Sequence, residues 1–193
     1  MAIESDLELM LRVRDGDAAS FDTLLRRYRV PLVGYFRRML RNPAMAEDLA
    51  QEVFLRVYKA RERYEPEARF TTWLYRIATN LALNALRDRK DEVPDPAEED
   101  GEQEGARERF VDSQPTAEQN LIQRDRERLI RNAVAALPEN QRAAVILHKY
   151  QEVGYHQIST ILRVSESAVK SLLFRAYGTL RQRLEPLLRE GVI

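Results

Sequence analysis

Three sets of side chains in this sequence could do chemistry, and each is set by its spacing. Between residues 165 and 178, Ser167, Lys170, Ser171, Phe174 and Gly178 fall along one helical stripe, with Arg175 beside it and Ser165 just before it. Lysine and arginine can meet phosphates or guanine edges, and an aromatic ring can meet a thymine methyl in the major groove. Further upstream, Trp73, Arg76, Asn80, Asn84 and Arg87 recur at steps of three or four. Rings stack on unpaired bases, while Asn and Arg hydrogen-bond to base edges and phosphates. Asparagine is a mediocre helix former, so propensity does not explain two of them four apart. The third set is acidic. Asp48, Gln51, Glu52 and Leu55 share one helical face, with Phe54 alongside. An acidic rim around apolar residues suits a protein partner that presents basic helices. Plainer readings stand beside each set: Trp73 and Phe174 as core rings, and the acidic face as a solvated one.

Other chemistry is excluded by what the chain lacks. There are no cysteines and only two histidines, His148 and His156, so disulfides, thiol catalysis and a His- or Cys-rich metal site are out. No Gly-rich phosphate loop and no Ser/His/Asp grouping occur. The Glu98-Glu99-Asp100 cluster lies in a Pro- and Gly-bearing stretch that cannot hold catalytic geometry. The expectation is therefore a protein that is not an enzyme and needs no cofactor or metal. No apolar run approaches the ~18 residues that span a bilayer. The start, MAIESDLELM, has neither a basic region nor an apolar core of a signal peptide. Cytoplasm is the default compartment.

The elements that must position these residues are helical. Of the 193 residues, 31 are Lys or Arg and 31 are Asp or Glu, yet the zero net charge hides an asymmetry. Residues 1–90 carry a net +4, residues 91–120 a net −9 and residues 121–193 a net +5. The middle stretch, DEVPDPAEEDGEQEGARERFVDSQPT, shows no apolar period and cannot bury enough surface to offset ordering. Opposed charges make association of this acidic stretch with the basic flanks in cis an expectation. Strand signals are nearly absent. Helices are expected at about 4–14, 17–40 with a bend or break at Pro31, 43–60 and 71–89. Asn42-Pro43 is a cap followed by proline at the first helical position. Further helices are expected at 117–136, then from Pro138 to a stop at Gly154, then at YHQISTIL, and last from Glu166 to near Pro186. In that last pair, Ile158, Ile161 and Leu162 face Val169, Leu172, Leu173, Ala176 and Leu180, with Val164 in the turn and Ser165 as cap. This pattern fits a helix-turn-helix. The fold class is all-α: two small helical domains, 1–90 and 121–193, joined by a flexible acidic linker at 91–120.

Together these stretches resemble a bacterial sigma factor of the extracytoplasmic-function group. The resemblance rests on AEDLAQEVFLRVYKA, RFTTWLYRIATNLALNALR and LPENQRAAVILHKYQEVGYHQISTILRVSESAVKSLLFRA, in that order. It implies regions two and four of such a factor. Region two would bind the clamp helices of the polymerase largest subunit through Asp48, Gln51, Glu52, Phe54 and Leu55. It would also melt and capture the minus-ten element, using the loop and helix that hold Tyr64, Arg69, Phe70, Thr71, Thr72, Trp73, Arg76, Asn80, Asn84 and Arg87. Region four would read the minus-thirty-five element with Ser165, Ser167, Lys170, Ser171, Phe174 and Arg175, and grip the flap of the second-largest subunit. The resemblance also implies an anti-sigma partner, which could hold the chain at the inner membrane. The sequence departs from the family at Leu172, where arginine is frequent, and at His148, His156-Gln157 and Ser159. A DNA-binding regulator acting without polymerase is the alternative, but it leaves WLYRIATN and the acidic face unused. A protein-interaction adaptor is a further one, which polymerase-dependent DNA binding would exclude.

Overall fold

The computed structural model describes residues 4–66, 69–91 and 117–189, and all of the regular structure among them is helical. The acidic stretch between 92 and 116 lies outside the described residues, and so does its expected association with the basic flanks. Helix α1 spans Asp6–Arg14 and begins with a capping box: the Ser5 hydroxyl accepts from the Glu8 backbone N–H, and the Glu8 carboxylate accepts from that of Ser5 at 3.0 Å. Helix α2, Ala18–Leu40, is capped by Asp17, which accepts from Ala19 N–H at 2.9 Å. It runs unbroken through Pro31, against the expectation of a bend or break. Burial explains the difference. Proline removes one backbone hydrogen bond, but the helix beyond it is held from several sides, with Leu32, Tyr35, Phe36 and Met39 all fully buried. Helix α3, Pro43–Lys59, starts as expected, with Asn42 accepting from Met45 N–H at 2.9 Å. A short 3-10 turn at Arg61–Arg63 leads toward α4, Phe70–Asp91. These four helices form the first half.

The second half holds α5, Ala117–Ala135, α6, Glu139–Tyr150, α7, Tyr155–Leu162, and α8, Glu166–Arg189. Two boundaries differ from the expectation. Helix α6 ends at Tyr150, and Gly154 opens α7 instead of closing α6: its N–H donates to the Gln157 side chain at 3.1 Å. Helix α8 continues through Pro186 to Arg189.

The two halves pack against each other. Helices α2 and α4 of the first half meet α5, α6 and α7 of the second, and the buried apolar residues of both form one continuous cluster. Polar contacts tie the joint. Arg142 of α6 donates to the Met39 carbonyl at 2.6 Å, and also to the carbonyls of Ala135 and, at 3.2 Å, Leu137. Tyr75 donates its hydroxyl to the Gln151 side chain. The Arg38 guanidinium sits 4.3 Å over the Tyr150 ring. Deeper in the first half, the Tyr35 and Thr79 hydroxyls hydrogen-bond at 2.8 Å, and the Tyr35 and Tyr75 rings meet edge-on at 5.6 Å.

Arg142→Ala is expected to lower the unfolding free energy by about 2–4 kcal/mol, because it strips several carbonyls of a charged donor. Urea unfolding measures this; a loss below about 0.5 kcal/mol would mean that water replaces the guanidinium. Burial also pushes the Tyr35 and Tyr75 phenols well above their ordinary range. A raised folded-state value contributes stability below the unfolded value near 10 and loses it as pH rises further. Unfolding free energy should therefore fall above about pH 10, and the fall should be shallower in a Tyr35→Phe/Tyr75→Phe variant.

Candidate nucleic-acid and polymerase interfaces

Helices α7 and α8 make the expected helix-turn-helix. Arg163 takes a left-handed conformation, φ 57°, which turns the chain, and Val164 N–H donates back to the Ser159 carbonyl at 3.0 Å. The Ser165 hydroxyl caps α8 by accepting from Ala168 N–H at 3.2 Å. Ile158, Ile161, Val169, Leu173 and Ala176 are buried between the helices, while Leu162, Leu172 and Leu180 pack half-buried at the edge. The turn residue Val164 stays 37% exposed. With that face fixed inward, the opposite stripe of α8 must face out. Ser165, Ser167, Lys170, Ser171, Phe174 and Arg175 are all exposed. Phe174 is 81% exposed, so the core reading of this ring is excluded. Lys170, Ser171, Phe174 and Arg175 line an open hollow of about 470 Å³. Ser171 donates its hydroxyl to the Ser167 carbonyl at 3.0 Å.

Helix α4 shows the same division. Leu74, Tyr75, Ala78, Leu81 and Ala82 are buried. Asn80, Asn84 and Arg87 are exposed on the far side, with Trp73 and Arg76 half-buried along the same stripe. Arg87 donates to the Asn84 side-chain Oδ1 at 2.8 Å, which orients both side chains. The loop before α4 splits in two. Arg69 is exposed and Thr71 half-buried, but Tyr64, Phe70 and Thr72 are buried at 5%, 3% and 5%. The Tyr64 and Trp73 rings lie 5.1 Å apart, with Phe70 6.1 Å from Trp73 and 5.5 Å from Tyr28. Tyr64, Phe70 and Thr72 thus brace the loop from beneath and do not reach its surface. The Tyr64 hydroxyl is buried with no hydrogen-bond partner among the described residues; burial, and then the Asp6 carboxylate, push its pKa up.

On α3, Asp48 and Gln51 are exposed, and Glu52 is half-buried and paired with Arg56 at 2.7 Å. Leu55 is 53% exposed among them. Phe54 is not on this face: it is 6% exposed and meets Phe21 edge-on at 6.4 Å. Its place is taken by Tyr58, 44% exposed, with the Arg61 guanidinium 4.2 Å over its ring. The sequence reading passed over Tyr58, although it lies three residues after Leu55, on the same face.

Comparison with known proteins places the chain in a family. Residues 24–92 match the family description Sigma-70 region 2, and residues 127–180 match Sigma-70, region 4. The chain is 33% identical over 190 residues to the RNA polymerase sigma-H factor of Pseudomonas aeruginosa, covering 97% of this chain and 98% of that one. It is 31% identical over 188 residues to the ECF RNA polymerase sigma-E factor of Haemophilus influenzae, covering 95% and 97%. The chain belongs to the extracytoplasmic-function sigma factors. At the level of fold, it resembles CnrH in complex with the cytosolic domain of CnrY, with a TM-score of 0.69, 19% identity, and 95% and 99% of the two chains covered. It also resembles the sigma factor RpoE in complex with the anti-sigma factor NepR from Bartonella quintana, with a TM-score of 0.64, 22% identity, and 86% and 96% covered. In this sigma factor, no helix among the described residues is long and apolar enough to cross a membrane.

Because Phe174 is 81% exposed, Phe174→Ala should leave the unfolding free energy within about 0.5 kcal/mol of the parent. Thermal unfolding checks this; a large loss would return Phe174 to a structural role.

Proposed function

We propose that this sigma factor directs initiation through three separate faces of its two halves. Residues 1–90 act as region two, residues 121–193 as region four, and the acidic stretch 91–120 links them. The α3 face of Asp48, Gln51, Glu52 and Leu55 docks on basic clamp helices of the polymerase largest subunit, with Phe54 supporting it from the core. The α4 stripe of Trp73, Arg76, Asn80, Asn84 and Arg87, with Arg69 and Thr71, meets the minus-ten element as it opens. Tyr64, Phe70 and Thr72 shape the loop that takes a flipped base, whose unstacking costs a few kcal/mol that capture offsets. Lys170, Ser171, Phe174 and Arg175, flanked by Ser165 and Ser167, read the minus-thirty-five element in the major groove. The rest of the second half grips the flap of the second-largest subunit. The role is regulatory, not enzymatic, and is exercised in the cytoplasm. The two structural neighbours are complexes with CnrY and with an anti-sigma factor, which supports an anti-sigma partner for this chain as well.

The observation that carries the reading is Phe174, 81% exposed between Lys170 and Arg175 on the second helix of a helix-turn-helix. No structural need places a bare ring there, whereas a thymine methyl supplies one.

The packed halves add a mechanical consequence. A compact chain of this length has a radius of gyration of about 16 Å and is about 40 Å across. Elements about 25 base pairs apart lie about 85 Å apart along the duplex. The closed form cannot reach both, so the halves separate when the factor works. The free protein should accordingly bind promoter duplex weakly on its own.

Transcription in vitro with core polymerase and a pooled genomic template is the direct test. New starts that share two upstream motifs are expected; polymerase binding without new starts would instead indicate sequestration. On a promoter so found, Asn80→Ala should reduce permanganate reactivity of the minus-ten region by roughly tenfold while leaving the closed complex intact. Unchanged reactivity would remove Asn80 from the opening step. Phe174→Ala should weaken upstream recognition without loss of polymerase binding.

A further inference from the structure

The helix-turn-helix holds a polar pair outside the proposed minus-thirty-five stripe. His156 stands in the first turn of α7 and Glu166 in the first turn of α8. The His156 Nδ1 lies 2.8 Å from the Glu166 Oε1. A carboxylate can only accept, so the ring nitrogen donates. Both side chains are open to solvent, 83% and 49% exposed. A surface pair this exposed adds little to stability. The buried Ile158, Ile161, Val169 and Leu173 hold α7 to α8 instead. The pair is nonetheless fixed in place. The His156 carbonyl accepts from the Ser159 and Thr160 hydroxyls at 2.7 and 3.2 Å. Ser165, next to Glu166, caps α8.

Glu166 lies four residues before Lys170, the spacing at which such residues pair across a helix turn. His156 takes the carboxylate instead, and Lys170 has no ion pair among the described residues. An exposed, oriented carboxylate thus opens the second helix of a helix-turn-helix. That is where the first residues of a recognition helix meet base edges. Lys170 and Arg175 on the same helix, with Arg163 in the turn, outweigh its charge toward the phosphates. A carboxylate needs a donor. In the major groove cytosine offers its N4 amino group, while adenine sets the N7 acceptor beside its amino group. N7 repels a carboxylate, so glutamate selects cytosine.

We propose that Glu166 reads a cytosine of the minus-thirty-five element and that His156 is the positioning residue that aims it. The inference rests on the proposed placement of α8 in the major groove. His156 acts through Glu166 and touches no base itself.

The test is transcription by the full chain with core polymerase on promoters whose upstream motif is randomised. The parent should favour cytosine at one position by roughly tenfold. Glu166→Gln should move that preference to adenine, because a side-chain amide pairs with N6 and N7. Its thermal unfolding should stay within about 2 °C of the parent. His156→Ala should cut the cytosine preference by about threefold and leave other positions alone. His156→Asn, whose amide N–H stands near the place of the Nδ1–H, should restore it. Phe174→Ala should alter a different position. If Phe174→Ala shifts its own position while Glu166→Gln changes none, the assignment of Glu166 is overturned and the placement of α8 stands. A parent with no upstream motif at all would overturn both. An equal loss at every position in His156→Ala would make His156 a structural residue and overturn its positioning role.

Discussion

The second half of α2 is covered over most of its surface, with Arg37 and Arg38 on the face left partly open, and the rest of the molecule is arranged around it. Leu32, Tyr35, Phe36 and Met39 are fully buried, and Val33 and Leu40 nearly so. A single helix stripe needs only one partner. Here α3 and α4 cover one side and α5 and α6 the other. Burying large side chains on several sides is worth about 2 kcal/mol each, which is why α2 tolerates a proline in its middle. It is also why the two halves share a core although a long acidic stretch separates them in sequence.

The same economy of faces explains the surfaces. Each helix that carries one of the proposed stripes is fixed by the apolar residues opposite it. On α4, Leu74, Ala78 and Ala82 face the core, so Asn80 and Asn84 must face out. On α8, Val169, Leu173 and Ala176 do the same for Lys170, Phe174 and Arg175. Rigid elements hold such stripes more precisely than loops would. The loop before α4 compensates with aromatic packing: Tyr64, Phe70 and Trp73 meet one another edge-on or tilted, and Tyr28 adds to Phe70.

The joint between the two halves mixes two kinds of contact. The joint is apolar at its centre but polar at its rim, where Arg142, Tyr75, Gln151, Arg38 and Tyr150 meet. Parting this joint would expose the apolar residues at its centre, so opening carries a cost that another partner surface must offset. Interfaces between domains of one chain commonly have this mixed character and allow relative motion.

The sequence by itself determined the helices, their apolar faces and the stripes left over, because a 3.6-residue period is written in residue type alone. Asn42 and Ser165 as caps belong to the same class: each acts on atoms within three residues of itself. The family was legible from three quoted stretches. What only the tertiary structure decided was which borderline residues go inside. Phe54 and Tyr58 are four apart and both meet the Phe21 ring, yet Phe54 is buried while Tyr58 keeps an exposed face under Arg61. Tyr64, Phe70 and Thr72 sit in a loop, where no period indicates burial. The continuity of α2 through Pro31 and the docking of one half on the other depend on residues far apart in the chain, such as Met39 and Arg142. Local pattern cannot encode those pairings, because their energy comes from surfaces that meet only once the helices have been placed.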